Sequence, residues 1–253
     1  MLVWDMPFGV IKDLDWDQEV SEDDFKQVIE DFAAKNQKSQ FSVLLHVPWN
    51  LAGRYDRILR DLGMTTIPFS WYKPNFNAKN VRYLQSFELM IFACTSRRVT
   101  WNDSKNPLLR HNILNIPKVT TRLRHTGTKE VVNATQKPPA IARKFFKRHT
   151  TRGDEVLILS SGTGSEAIAA VSLGLNVTCV DFDSEQMAKC EERVIDFMSA
   201  DNLKQLVAEP LLFRDDTDHE LSDDESTLCE TLQLRKENED KAKAEVIEPQ
   251  NKY

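Results

Sequence analysis

The chain predicts an α/β protein, a mostly parallel sheet with helices on both faces. Three observations carry that expectation. Short apolar runs alternate with amphipathic stretches at helical spacing. A strand, a glycine turn and a helix follow one another between Asp154 and Ala167. And 253 residues, 41% of them hydrophobic, suffice for one substantial core with room for an insert or a tail.

Met1 to Trp4 is a short apolar run stopped at Asp5, a buried strand running into a loop. Ser21 to Lys35 opens with Ser-Glu-Asp-Asp, a hydroxyl cap with acids in the first turn. It continues with Phe25, Val28, Ile29 and Phe32 on one face of a helix. Phe41 to Val47 is a strand, and Asn50 to Leu62 is a helix closed by Gly63. Thr65 to Tyr72 and Glu88 to Cys94 read as further strands. From Thr95 to Thr135 periodicity fades, which marks an insert or loop-rich element. Pro138 to His149 makes a basic helix. Val156 to Leu159, Ser165 to Leu173, Val177 to Val180 and Ser184 to Phe197 then alternate strand and helix. Beyond Glu209 the composition is acidic, then mixed in charge and poor in aromatics, which predicts disorder.

The net charge of −6 hides a segregation. Between Arg97 and Arg148 there are 13 Lys or Arg against two acids, Asp103 and Glu130, whereas Asp215 to Glu225 holds seven acids and no Lys or Arg. A basic block with Trp101 inside it suits a polyanion, and it equally suits a solvated face. Cys94, Cys179, Cys190 and Cys229 lack paired spacing, so neither a disulfide framework nor a metal site is expected and the compartment reads as intracellular. The apolar runs are too short to span a bilayer, so no membrane partner is expected.

Two stretches carry chemistry. In Ile158-Leu-Ser-Ser-Gly-Thr-Gly-Ser165, Gly162 and Gly164 let the backbone turn tightly and approach a ligand, and the helix that follows turns its positive end towards it. Asp181, nineteen residues after Gly162 at the end of the next strand, is placed to accept from ribose hydroxyls. With Ala167 the turn formally matches G-x-G-x-x-A, so an adenosine-bearing cofactor is expected, either S-adenosylmethionine or a dinucleotide. The other stretch is Val3-Trp-Asp-Met-Pro-Phe-Gly9, which puts Asp5, Pro7 and Phe8 directly after a strand, where α/β proteins bind ligands. The Asp5 carboxylate and a main-chain carbonyl near Met6 can accept from the protons of a base amine. Pro7 stiffens the corner, and Phe8 offers a face to an extruded base.

Asp-Met-Pro-Phe-Gly at 5–9, with Trp16-Asp17 beyond it, resembles the opening of β-class DNA amino-methyltransferases, which act on adenine or cytosine. Pro68 to Asn75, Gln85 to Phe92 and Thr135-Gln-Lys-Pro-Pro139 resemble further segments of that family, in its permuted order with the corner first and the cofactor turn late. The resemblance covers residues 1 to 198. It implies a Rossmann-like S-adenosylmethionine-dependent methyltransferase fold, circularly permuted in motif order. It divides the chain into a catalytic half (1–94), a basic target-recognition region (95–135), a cofactor-binding half (136–208) and the acidic tail (209–253). Asp5, Met6, Pro7 and Phe8 are then catalytic. Lys137, Pro138, Ser160, Gly162, Gly164 and Asp181 hold the cofactor, and Arg97, Arg98, Trp101, Lys105, Arg110, Arg122 and Arg124 contact nucleic acid. DNA is expected as partner ahead of RNA, and adenine ahead of cytosine because Asp rather than Ser opens the corner. The compartment would be the nucleus in a eukaryote and the cytoplasm in a prokaryote.

Two departures set up alternatives. Where the family has Asp-Pro-Phe ahead of its glycines, this chain has Ile158, Leu159 and Ser160, and a further strand usually precedes the catalytic one. A weakened homologue that binds nucleic acid or serves a protein partner or homodimer is thus one rival, as is a fragment. A dinucleotide-dependent oxidoreductase is the other, but it leaves the Asp5 corner without a purpose. His46 is expected to be a hydrogen-bonded structural histidine, and Trp49, Trp71 and Tyr72 are expected in the core.

Overall fold

The computed structural model describes residues 1–7, 9, 18–36, 40–76, 82–96, 99–102, 110–120, 133 and 135–199. In chain order its elements are β1 (Leu2–Asp5), α1 (Glu22–Lys35), β2 (Ser42–Val47), α2 (Ala52–Asp61), β3 (Thr65–Tyr72), β4 (Phe87–Cys94) and β5 (Ile113–Asn115). They continue with α3 (Pro139–His149), β6 (Glu155–Leu159), α4 (Ser165–Val171), β7 (Asn176–Val180) and α5 (Ser184–Ser199). All lie within the unit Met1–Leu212. The described strands form one sheet in the order β5-β3-β4-β2-β1-β6-β7. β4 is antiparallel to both β2 and β3, while every other pairing is parallel. The sheet is therefore mostly parallel, as expected.

The alternation of side chains along β1 sorts the core into two layers. Leu2 and Trp4 face one side, where they meet Phe25 and Ile29 of α1 and Tyr55 and Leu59 of α2. Val3 faces the other, with Phe145 and Phe146 of α3 and Ala167 and Ala170 of α4. β2 repeats the pattern, Val43 and Leu45 on the first side and Leu44 on the second. Both faces are thus covered.

Local chemistry explains the helix ends. The Ser21 hydroxyl accepts from the Asp24 amide at 3.0 Å at the start of α1, with Glu22, Asp23 and Asp24 beside the positive end of its dipole. α3 starts on Pro139 after an extended Pro138 and ends in Lys147, Arg148 and His149, opposite in sign to its carbonyl end.

Two features differ from expectation. β5 lies inside the stretch read as an insert and pairs with β3, because a three-residue strand carries too short a period to register in the sequence. Trp71 is buried as expected, but Trp49 is 74% exposed in the turn between β2 and α2, and Tyr72 is 42% exposed because side chains alternate along β3 and Trp71 takes the buried face. The acidic tail lies outside the described residues. No described helix is long and apolar enough to cross a membrane.

Phe25 is fully buried, stacked on Trp4 at 5.9 Å and against Tyr55 at 4.6 Å, so it ties α1 to both β1 and α2. Phe25→Ala is expected to lower the unfolding free energy by about 3–5 kcal/mol in a urea titration followed by tryptophan fluorescence.

Candidate active site

The strand order places the site before any side chain is considered. From β1 the chain passes to β2 on one side, and from β6 it passes to β7 on the other. A crevice must open at the carboxyl ends of β1 and β6, where the direction of winding reverses. β1 ends there in Asp5, and β6 runs there into the turn 160–164.

That turn is tightly built. Ser160 has a φ of 53° and is the positive-φ residue other than glycine among the described residues. A serine held there costs roughly 1 kcal/mol or more, so strain is stored where β6 leaves the sheet. Gly162 and Gly164 follow with φ of 51° and 82°. A Cβ on Gly162 would lie 2.8 Å from Asn133 Nδ2, which itself donates to Gln186 Oε1 at 2.9 Å across the turn. A Cβ on Gly164 would lie 2.5 Å from Cys190 Sγ in α5. Asp181, just past β7, fastens the turn from the side. Its Oδ2 accepts from the Gly162 amide at 2.7 Å, and its Oδ1 accepts from the Asp183 amide at 2.9 Å.

Beyond Asp5 the same rim carries a row of titratable side chains, nearly one per strand. Lys73 follows β3, Glu88 stands near the start of antiparallel β4, His46 near the end of β2, and Asp5 closes β1. Lys137, on the segment leading into α3, reaches over them. Its Nζ donates to Asp5 Oδ2 at 2.6 Å and stands 3.8 Å from Glu88 Oε2, and Glu88 Oε1 accepts from Lys73 at 2.9 Å. Burial opposes the Lys137 charge, yet Asp5 and Glu88 outweigh it and raise its pKa. Lys137 therefore stays an ammonium although only 8% of its side chain is exposed.

His46, between the residues that Lys137 joins, is fully buried. Burial and then the Lys137 charge push its pKa down to about 3, so the ring is neutral. Neither ring nitrogen has a hydrogen bond among the described residues, contrary to the hydrogen-bonded histidine expected. The charged groups nearest to it are already committed to one another, and the unmet N–H costs about 1–3 kcal/mol.

On the β6 side stands Glu166, in the first turn of α4 and 7% exposed. Burial first, then the Asp5 charge, raise its pKa to about 7. A small polar cleft lies between these groups, lined by Asp5, Lys137 and Glu166 together with Ser160, Thr163 and Ser165. Ser165 Oγ and Gln136 Oε1 are buried there without a hydrogen-bond partner among the described residues. Two carboxyl groups, one fully engaged lysine and orphaned polar atoms suit a polar ligand that brings positive charge.

Solved structures share this architecture. M1.HpyAVI, solved as its SAM complex, matches with a TM-score of 0.56 and 19% identity, over 76% of this chain and 87% of its own. The cytosine-N4-specific PvuII DNA methyltransferase matches with a TM-score of 0.57 and 14% identity, over 82% of this chain and 86% of its own. A candidate DNA modification methylase of Thermus thermophilus, TTHA0409, gives 0.55 and 16%, over 79% and 87%. This is the Rossmann-like methyltransferase fold. No protein-family model and no curated protein sequence matches the chain.

Within the methyltransferase fold the sequence-predicted residues divide into four groups. Asp5, Lys137, Ser160, Gly162, Gly164 and Asp181 are brought together at the crevice, with Pro138 capping α3 beside Lys137. Met6 is 2% exposed and donates its amide to the His46 carbonyl at 3.3 Å, and Pro7 is half-buried. Trp101 and Arg110 are not brought there. Trp101 lies over Arg148 at 5.4 Å and beside His149, at the far end of α3 from Lys137. The helix itself separates them by about 16 Å. Phe8, Arg97, Arg98, Lys105, Arg122 and Arg124 lie outside the described residues.

Glu166, Glu88 and Lys73 complete the cluster and were not singled out from sequence. Glu166 carries a signal in retrospect, an acid in the first helical turn directly behind a glycine turn. Lys73 and Glu88 lie within the stretches 68–75 and 85–92 that resemble the family, but their meeting with Lys137 follows only once β4 is known to run antiparallel.

A carboxyl group that titrates near 7 in the fold and at its ordinary 4.5 in the unfolded chain destabilises the fold as pH rises through that window. Above it the loss is up to about 3 kcal/mol. Glu166→Gln is therefore expected to raise the melting temperature at pH 8, with the gain disappearing as pH falls towards 4.5, in melts recorded across that range.

Proposed function

We propose that the protein transfers a methyl group from S-adenosylmethionine to the exocyclic amine of a base in DNA, adenine ahead of cytosine. The observation that carries this is the meeting of the Asp5 corner with the 160–164 turn at one crevice of a methyltransferase fold. The DNA methyltransferases that share the fold support DNA as substrate, and the SAM complex of M1.HpyAVI supports the cofactor.

When bound, the cofactor supplies an electrophilic methyl group on a sulfonium. The remaining work belongs to this chain. Lys137 holds Asp5 Oδ2 in a charge-assisted bond and so fixes the carboxylate, leaving Oδ1 to accept from the amino group of the target base. That bond draws the amine lone pair out of conjugation and aims it, and Oδ1 receives the proton the amine sheds. With 26% of its side chain exposed, Asp5 can return the proton to water. Gly162 and Gly164 keep the turn open to close approach, and the hydroxyls of Ser160 and Ser165 supply hydrogen bonds to a polar ligand. Asp181 holds the turn through the Gly162 amide and keeps lone pairs for ribose hydroxyls.

Part of the basic stretch between β4 and α3 serves the same end. β5 runs parallel to β3, so it leads from Arg110 to Lys118 on the rim that holds Lys73. There Lys118 is zipped to Asn75 by two hydrogen bonds of 2.8 and 2.9 Å and lies over the Phe76 ring at 4.8 Å. Adenine is preferred because Asp, rather than Ser, opens the corner.

The test is transfer of a tritiated methyl group from S-adenosylmethionine to double-stranded DNA, followed by nucleoside analysis of the product. Wild type should yield N6-methyladenine. Asp5→Ala and Asp5→Asn, checked for folding by circular dichroism, should lose about 10²–10⁴-fold in rate. N4-methylcytosine instead would correct the base, and the absence of incorporation into DNA would overturn the function.

A further inference from the structure

We propose that Glu166 is the group that reads the positive charge of the cofactor, surrendering its proton as the cofactor enters the cleft. This rests on the methyl-transfer function proposed above. The chain itself places Glu166 for the role. It is the second residue of α4, directly behind Gly162 and Gly164, so the backbone that turns towards the ligand also carries the carboxyl into the cleft wall.

Its surroundings leave it short of a cation. Glu166 is 7% exposed and makes no ion pair among the described residues. Lys137 is already bonded to Asp5 and paired with Glu88. The charged and titratable groups that face Glu166 are Asp5 from β1, Lys137 ahead of α3, Arg193 and Cys190 from α5, and Cys179 from β7. Arg193 donates to the Thr163 carbonyl, which draws part of its charge to the turn. Ile158, two residues before Ser160 in β6, is 1% exposed and brings no charge. Burial and the Asp5 carboxylate, working against a bond from its own backbone amide and the charges of Lys137 and Arg193, hold the Glu166 carboxyl at about 7, where proton and anion are nearly balanced.

A ligand bearing a sulfonium and an ammonium brings the missing positive charge to this wall. Charge beside a buried carboxyl favours its anion, so binding drives the proton off. By linkage, the cofactor then binds more tightly as pH rises towards 7, and the gain levels off above it. A neutral glutamine at 166 can neither shed a proton nor answer the charge.

The experiment is calorimetric titration of the full chain with S-adenosylmethionine at pH 6, 7 and 8, each in two buffers of different ionisation enthalpy. It yields the dissociation constant and the number of protons released without any need for turnover. Wild type should bind about tenfold more tightly at pH 8 than at pH 6 and release close to one proton at pH 6. Glu166→Gln should bind more weakly at pH 8 and lose both effects. The amine of the cofactor titrates alike in both proteins and cancels in the comparison. Binding by both proteins with the same pH dependence would overturn the role of Glu166 and leave methyl transfer standing. So would wild-type binding at pH 6 without proton release, a result that needs no variant. Failure of wild type to bind at any pH would overturn both.

Discussion

Everything at the crevice hangs on the bond between Lys137 and Asp5. The two residues are 132 positions apart, and their 2.6 Å contact joins the first strand of the sheet to the segment that launches α3. A buried lysine is tolerable only with its charge answered, and Asp5 and Glu88 answer it from strands on either side of β2. The same contact fixes which oxygen of Asp5 is spent on structure. Order in the site and order in the fold are here one interaction.

The sheet supplies the rest of the geometry. A single antiparallel strand, β4, brings Glu88 to the rim where the parallel strands end, so residues from both directions of the chain meet on one edge. The turn after β6 is pinned at three points, by Asp181 at the Gly162 amide, by Cys190 against Gly164 and by the Asn133–Gln186 bond beside Gly162. The strain at Ser160 is held by those contacts rather than by its own preference.

Much of this was legible in the sequence, and the misses have physical reasons. Long periodic stretches such as 21–35 and 139–149 declared themselves, because a helix face repeats several times within them. The ends of β1 and β6 were legible as chemistry, since Asp-x-Pro and Gly-x-Gly constrain the backbone wherever they occur. β5 was not, being three residues long and stabilised by pairing with β3 rather than by its own pattern. The orphaned ring of His46 and the raised pKa of Glu166 depend on what stands opposite them in space, which a one-dimensional pattern does not contain. Composition exposed the basic block but not its division between the two ends of the sheet. Only the strand directions separate Trp101 from Lys118.

β1 lies between β2, some forty residues away, and β6, more than a hundred and fifty away. The first pairing closes a modest loop, while the second must wait for most of the chain to find its place. The crevice between β1 and β6 is therefore also the seam along which two separately woven pieces of sheet are stitched. A small molecule lying across it would touch both pieces, and since only the folded chain offers that pair of edges, its binding would resist their parting.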